Sequence, residues 1–132
     1  MDILTIEATA KTPLVVLNPF TGEMLVKGRS IPNDADSFWS PILSWFYAYA
    51  YEPAPETKVT VQLEYFNITS SKKIMFLLHK MHDMHKNGKN IRMNWLYVEG
   101  DDDMKEVGSD YASLLEIPFN LVPIQEDPIV LK

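Results

Sequence analysis

The N-terminal part of the chain mixes β-branched residues with polar and turn-forming ones, a pattern typical of short strands. Residues 4–16 predict an edge strand, because Pro13 and Pro19 limit its backbone pairing. Residues 18–22, Asn-Pro-Phe-Thr-Gly, are a turn signal, and residues 24–28 predict the return strand. The sequence therefore predicts an N-terminal β-hairpin.

The rest of the chain alternates between helical and extended patterns. Three segments repeat apolar residues every three or four positions, as one face of a helix does, and residues 58–68, 91–98 and 119–124 predict strands. Strands that alternate with helices imply right-handed crossovers and a largely parallel sheet, so the order after the hairpin is α-β-α-β-α-β. The predicted apolar faces comprise Phe38, Ile42, Trp45, Phe46 and Tyr49; then Ile74, Leu77, Leu78, Met81 and His85; then Met104, Val107, Tyr111, Leu114 and Leu115.

The first of these helices is unusually aromatic. Most of it predicts core packing, but Trp39, Leu43 and Tyr47 fall beside its main apolar face. We therefore expect some apolar surface on this helix to be exposed as a partner-binding patch.

Composition narrows the classes of function. A chain of 132 residues predicts one domain, residues 1–132, with a buried core. The net charge of −6 argues against nucleic-acid binding and against an anionic membrane surface, because such binding depends on clustered Lys and Arg. The absence of Cys excludes thiol catalysis and Cys-ligated zinc. The start lacks a signal-peptide pattern and no segment is long and apolar enough to span a bilayer, so we expect a cytoplasmic protein.

A cluster of hydroxyl groups lies where the predicted strand 58–68 gives way to a helix. Asn67, Thr69, Ser70 and Ser71 occupy this junction, and one reading is that Thr69 or Ser70 caps the helix. The other reading is phosphorylation, because a helix N-terminus favours negative charge and the neighbouring Lys72-Lys73 adds positive charge. Spacing by itself does not separate these two interpretations.

Two further loops are expected beside this cluster. In an open parallel sheet the carboxyl ends of the strands share one edge, which would make neighbours of residues 28–34, 67–71 and 99–103. Arg29 could then contact an acid or a phosphate there, and Ser30, Asn33 and Asp101 would lie close by.

The remaining polar clusters have simpler interpretations. His79, His82 and His85 spread over about 120° of a helix, so a solvated helix flank is favoured over a metal site. The run Glu99-Gly100-Asp101-Asp102-Asp103 lacks the ligand spacing of a calcium loop, and Asp101 as a helix N-cap explains it. An alternative function, a small ligand-binding or hydrolytic α/β domain, would use His79, His82, Asp101 or Asp102. The chain shows no cofactor motif and no nucleophile–base pair.

Short motifs across nearly the whole chain give a resemblance in their combined order and spacing. The motifs are Thr12-Pro13, Gly28-Arg29-Ser30 with Pro32, Phe38, Pro41-Ile42 with Trp45 and Tyr49, Leu63-Glu64-Tyr65-Phe66-Asn67 with Ser70-Ser71-Lys72, Trp95 with Tyr97, Asp101-Asp102 with Glu106 and Gly108, and Ile117-Pro118-Phe119. In these motifs the chain resembles the SiaC family of regulatory phosphoproteins, whose fold is similar to STAS domains and anti-sigma-factor antagonists.

The resemblance implies a STAS-like mixed sheet with helices packed on it, and a small cytoplasmic switch without catalytic activity. It implies that a Ser/Thr kinase phosphorylates a hydroxyl in the Asn-Thr-Ser-Ser-like segment and that a PP2C-type phosphatase removes the phosphate. It also implies a target protein, which in the best-described system of the family is a diguanylate cyclase, and so a link to cyclic-di-GMP signalling and biofilm formation.

One position departs from the family pattern, which has Thr directly after Asn. Here Asn67 is followed by Ile68, which as a strand-end residue is expected to point inward or sideways. A shift of one residue matches Thr69-Ser70-Ser71 to the family's Thr-Ser-Ser. The resemblance therefore implies Thr69 as the phosphoacceptor, with Ser70 and Ser71 as alternatives. The expected surroundings are Asn67, Lys72, Lys73, Arg29, Ser30, Asn33 and Asp101.

Overall fold

A computed structural model describes residues 1–125. Over these residues it contains a six-stranded sheet and three helices in the order β1 (Leu4–Ile6), β2 (Leu14–Leu17), β3 (Glu23–Ser30), α1 (Ala35–Tyr49), β4 (Thr57–Phe66), α2 (Ile68–Lys86), β5 (Ile91–Val98), α3 (Asp102–Leu114) and β6 (Phe119–Ile124). The predicted α/β class and element order are confirmed. The sheet follows chain order, β1-β2-β3-β4-β5-β6.

The sheet is mixed. β1, β2 and β3 pair antiparallel, whereas β3, β4, β5 and β6 pair parallel. One helix connects each pair of neighbouring parallel strands. Right-handed crossovers that advance in one direction along the sheet put all three helices on the same face of the sheet. Burial alternates along β4 and β5 accordingly, because only the helix-covered face is closed to solvent. The most deeply buried large side chains of the hydrophobic core are Trp39, Ile42, Phe46, Tyr49, Ile74, Leu78, Met81, Ile91, Met93 and Trp95.

The N-terminal segment differs from its prediction. The expected single strand over 4–16 is two strands, because a turn at Thr9–Thr12 interrupts it: the Thr9 hydroxyl accepts from the Lys11 and Thr12 N–H groups. β2 and β3 form the predicted hairpin across Asn18–Gly22. The hairpin register places Val15 opposite Val26, and both are buried.

The helix faces also needed correction at individual positions. Trp39 is fully buried, not part of an exposed patch, whereas Tyr47 is exposed as expected. In α2, Met84 is buried where His85 was predicted, and in α3, Leu114 is exposed. Each correction concerns a single position beside the stripe, whose other predicted members stay largely buried, because neighbouring residues of a helix differ in direction by about 100°.

A β-bulge lies at the end of β3 and β4. The register shifts between Gly28 and Arg29, so that Gly28 pairs with Leu63 but Arg29 pairs with Tyr65. Gly28 has a φ angle of +130°, a backbone conformation that residues other than glycine rarely adopt. The shift leaves Ser30 opposite Phe66, one residue before the turn into α2.

Candidate functional site

The carboxyl ends of β3 and β4 meet as the sequence predicted. The Asn67 N–H donates to the Ser30 carbonyl at 3.1 Å, which joins the residue after β4 to the last residue of β3. Loops 28–34 and 67–71 are therefore neighbours. The first turn of α2 begins directly after this hydrogen bond, at Ile68.

Asn67 caps α2. Its side-chain oxygen accepts from the Ser70 N–H at 2.9 Å and from the Thr69 hydroxyl at 3.1 Å. The interpretation in which Thr69 or Ser70 is the cap is wrong, because β4 stops at Phe66 and the helix begins at Ile68, three residues earlier than a Ser70 cap requires. Ser70 is thus available for a different contact, and Thr69 supports the cap as a donor to Asn67.

The four side chains that follow the cap point in different directions. Ile68 is 78% exposed, so the expectation that it points inward or sideways is wrong. Thr69 is also exposed, whereas Ser70 is fully buried and Ser71 is half-buried. A helix turns its side chains by about 100° per residue, which is why neighbouring hydroxyls face solvent, the core and α3 in turn.

The Ser70 hydroxyl belongs to a buried network. It accepts from the Ser30 hydroxyl at 2.8 Å, and the Ser30 oxygen accepts from the Trp39 indole N–H at 3.2 Å. Ser30 and Ser70 are both 0% exposed. A kinase could reach Ser70 only after the first turn of α2 had separated from the sheet. The role of the Ser70 hydroxyl is therefore to stabilise the fold.

Ser71 points towards α3. Its hydroxyl lies 3.3 Å from the Tyr111 hydroxyl. Burial raises the pKa of Tyr111, and the hydrogen bond with Ser71 partly opposes that rise. The Ser71 hydroxyl therefore ties α2 to α3.

Thr69 lines a groove between the N-terminal halves of α1 and α2. The groove encloses about 710 Å³ and is lined by Asn33, Asp34, Ala35, Asp36, Thr69, Lys72, Lys73, Met75, Phe76 and His79. The lining combines two carboxylates and two ammonium groups with apolar side chains. Thr69 is exposed in this lining, so another protein can reach it.

The two helices are bridged at this groove by charge. The Lys73 ammonium contacts the Asp36 carboxylate and lies 5.6 Å from the centroid of the Phe76 ring. Asp34 caps α1, and its hydrogen bonds from the Ser37 side chain and N–H lower its pKa, so it is charged at neutral pH.

Of the other residues predicted to surround the phosphorylation site, Asn33 lies near Thr69, whereas Arg29 and Asp101 make their contacts elsewhere. Asn33 lines the groove and accepts from the Lys11 ammonium at 3.4 Å. Arg29 pairs with Glu64 at 3.1 Å on the surface, not with an acid of the 99–103 loop. Asp101 caps α3 by accepting from the Met104 N–H at 3.1 Å, and within residues 1–125 no hydrogen bond joins it to the 67–71 segment. Asp101 therefore serves its own helix, because the β5–α3 loop lies one strand farther along the sheet.

The alternative function, a ligand-binding or hydrolytic domain, depends on His79 and His82, which lie on α2, and on Asp101 and Asp102, which lie at the start of α3. His82 accepts from the Glu116 N–H through Nδ1 at 3.2 Å, and Asp102 lies in the first turn of α3. His79 lines the groove. Across residues 1–125 no group of three or more His, Asp or Glu side chains is placed to hold a metal ion.

Three contributors to the site were missed at the sequence level: Trp39, Asp36 and Phe76. Trp39 could have been found, because Trp39, Ile42, Phe46 and Tyr49 form a stripe at spacings of three, four and three. Asp36 and Phe76 left no sequence signal, since their importance comes from Lys73 alone.

One family model matches nearly the whole chain. Residues 6–124 match the family described as SiaC family regulatory phosphoprotein. An uncharacterised protein of Pseudomonas aeruginosa strain UCBPP-PA14 is 21% identical over 119 residues, which cover 90% of this chain and 94% of that protein.

Solved structures show the same fold. Apo-SiaC from Pseudomonas aeruginosa superposes with a TM-score of 0.86 at 20% identity, covering 92% of this chain and 99% of that one. A structure of the diguanylate cyclase SiaD in complex with its activator SiaC, from the same organism, matches with a TM-score of 0.88 at 20% identity, again over 92% and 99%. Within the described part of this chain, no helix is long and apolar enough to cross a membrane.

Proposed function

Because this chain belongs to the SiaC family of regulatory phosphoproteins, we propose that it is a non-catalytic partner switch controlled by phosphorylation of Thr69. One observation supports this position most directly. Of the three neighbouring hydroxyls, only that of Thr69 is exposed, since Ser70 is buried and Ser71 is half-buried against Tyr111. A kinase can therefore reach Thr69 without disturbing the fold.

The local electrostatics favour a phosphate at this position. Thr69 lies in the first turn of α2, where the helix dipole and the unpaired N–H groups stabilise negative charge. The first turn of α2 holds no acidic residue, and Lys72 and Lys73 follow one turn later. A phosphate adds about two negative charges at neutral pH, which would change the surface without a change of fold.

The proposed partner is a diguanylate cyclase-type signalling protein. The support is the fold shared with Pseudomonas aeruginosa SiaC, which is the activator of the diguanylate cyclase SiaD in their complex. The phosphorylation state would decide whether this partner binds, with a Ser/Thr kinase adding the phosphate and a PP2C-type phosphatase removing it. The proposal treats residues 1–132 as one domain acting in the cytoplasm, within cyclic-di-GMP signalling that governs biofilm formation.

The test begins with the modification itself. The protein is incubated with ATP and a Ser/Thr kinase encoded beside its gene, and the peptide containing residues 67–72 is analysed by mass spectrometry. We expect one phosphate on Thr69, its loss in T69A, and its retention in T21A, which removes an exposed threonine elsewhere. An unmodified Thr69 would overturn the proposal.

The second half of the test measures binding. The affinity of the T69A and T69E proteins for a diguanylate cyclase encoded beside the gene is compared by calorimetry. We expect affinities that differ by at least tenfold, because T69E places a charge at the mouth of the groove. Equal affinities would show that position 69 does not control the partner.

A further inference from the structure

Lys73 has an unusual position for a surface lysine. Its side chain is only 23% exposed, and its ammonium is held between the Asp36 carboxylate of α1 and the ring of Phe76. Asp36, in contrast, is 82% exposed. The bridge therefore joins a largely buried lysine side chain to a carboxylate that is largely in water, and pairs with an exposed partner are weak.

Thr69 and Lys73 are close neighbours on α2. They are separated by four residues, so their Cβ atoms lie about 5–6 Å apart on one face of the helix, and both line the groove. A phosphate on Thr69 would lie one turn above the ammonium of Lys73. It would also lie beside Asp36, whose charge has the same sign.

The phosphate is the stronger partner for Lys73. It bears about two negative charges and three acceptor oxygens, whereas Asp36 bears one charge and is screened by water. The same phosphate repels the Asp36 carboxylate. Both effects act in the same direction.

We infer that Lys73 is the phosphate-binding residue of this site and that phosphorylation of Thr69 transfers its ammonium from Asp36 to the phosphate. This inference rests on the proposed phosphorylation of Thr69. The transfer breaks the charge bridge between α1 and α2 and frees Asp36 at the mouth of the groove.

The transfer also changes the charge that a partner meets. In the bare protein the two carboxylates and two ammonium groups of the groove balance. With phosphate present the groove gains about two negative charges, and the salt bridge from Lys73 to Asp36 of α1 is gone. The modification thus alters both the charge of the groove and the connection between its two walls.

The test installs phosphothreonine at position 69 by genetic code expansion, so it needs no kinase. The carboxyl carbon of Asp36 and the ε-CH₂ of Lys73 are followed by NMR. We expect phosphorylation to move the Asp36 signal in the same direction as K73M moves it in the unphosphorylated protein, because both changes remove the bridge.

The second readout is the phosphate itself, observed by ³¹P NMR as a function of pH. We expect K73M to raise the second pKa of the phosphothreonine above its value in the phosphorylated protein, since an adjacent cation stabilises the dianion. K72M is the matched control, because Lys72 is an exposed lysine of the same turn, and we expect a smaller rise.

Asp36 and Lys73 signals that do not move on phosphorylation would overturn the inference, as would equal pKa values in K73M and K72M. These failures differ from failure of the proposed function, since the phosphate is installed whether or not a kinase recognises Thr69. Backbone amide spectra of each variant show whether it is folded.

Discussion

The Ser30 hydroxyl donates to the Ser70 hydroxyl at 2.8 Å, although the two residues are 40 positions apart and both are fully buried. This bond fixes the first turn of α2 to the end of β3. It holds the Thr69 hydroxyl, one residue earlier, on the outer side of the helix. The buried serine therefore positions the exposed threonine.

Removal of this bond should destabilise the protein. We expect S70A to lower the free energy of unfolding by about 1–3 kcal/mol, because the buried Ser30 hydroxyl is left without its acceptor. Urea unfolding measures the change. S109A removes an exposed hydroxyl from α3 and should stay within about 0.5 kcal/mol of the parent. Equal effects of the two substitutions would contradict a structural role for Ser70.

Gly108 permits α3 to pack closely on the sheet. A Cβ added there would lie 2.4 Å from Cδ1 and 2.6 Å from Nε1 of Trp95, whose indole N–H donates to the Met104 carbonyl at 3.0 Å. The ring cannot move without loss of that bond. The contact explains why a residue of poor helix propensity lies in the middle of α3.

We therefore expect G108A to lower the free energy of unfolding by about 1–2 kcal/mol. Overpacking against a rigid ring should cost about 2–3 kcal/mol, the upper part of the usual range, and the gain in helix propensity returns about 1 kcal/mol. Urea unfolding followed by tryptophan fluorescence measures it. S109A on the adjacent exposed position should not destabilise. A G108A protein as stable as the parent would show that α3 can shift away from Trp95.

Tyr111 should make stability depend on alkaline pH. Its pKa is raised by burial, so the neutral phenol stabilises the fold fully below the unfolded value of about 10, and this contribution is lost as the pH rises through the folded value. We expect the parent to lose more stability than Y111F above about pH 10. Urea midpoints across this range measure the difference.

Two controls make the Tyr111 prediction specific. Y51F alters a tyrosine that is 87% exposed and should leave the alkaline loss unchanged. S71A should raise the pKa of Tyr111 further, because the hydrogen bond between Ser71 and Tyr111 opposes the rise, and absorbance at alkaline pH measures that titration. An alkaline profile identical in Y111F and the parent would refute the assignment.

The element order could be predicted because periodicity is a local property. Alternation along β4 and β5, and spacings of three and four in α1 and α2, are visible in the sequence and confirmed by the structure. The errors lie where a local pattern has two near-equal phases. Trp39 was placed on the wrong side of α1, and β4 was extended two residues too far, into the first residue of α2.

The chain's sequence by itself determined the class of fold, the order of its elements and the segment, residues 67–73, in which the candidate site lies. Only the tertiary structure decided which hydroxyl is buried, which is exposed and which lysine meets Asp36. The physical reason is that these contacts join residues tens of positions apart. They depend on the rotation of α2 about its axis and on the register shift at Gly28, which no local pattern specifies.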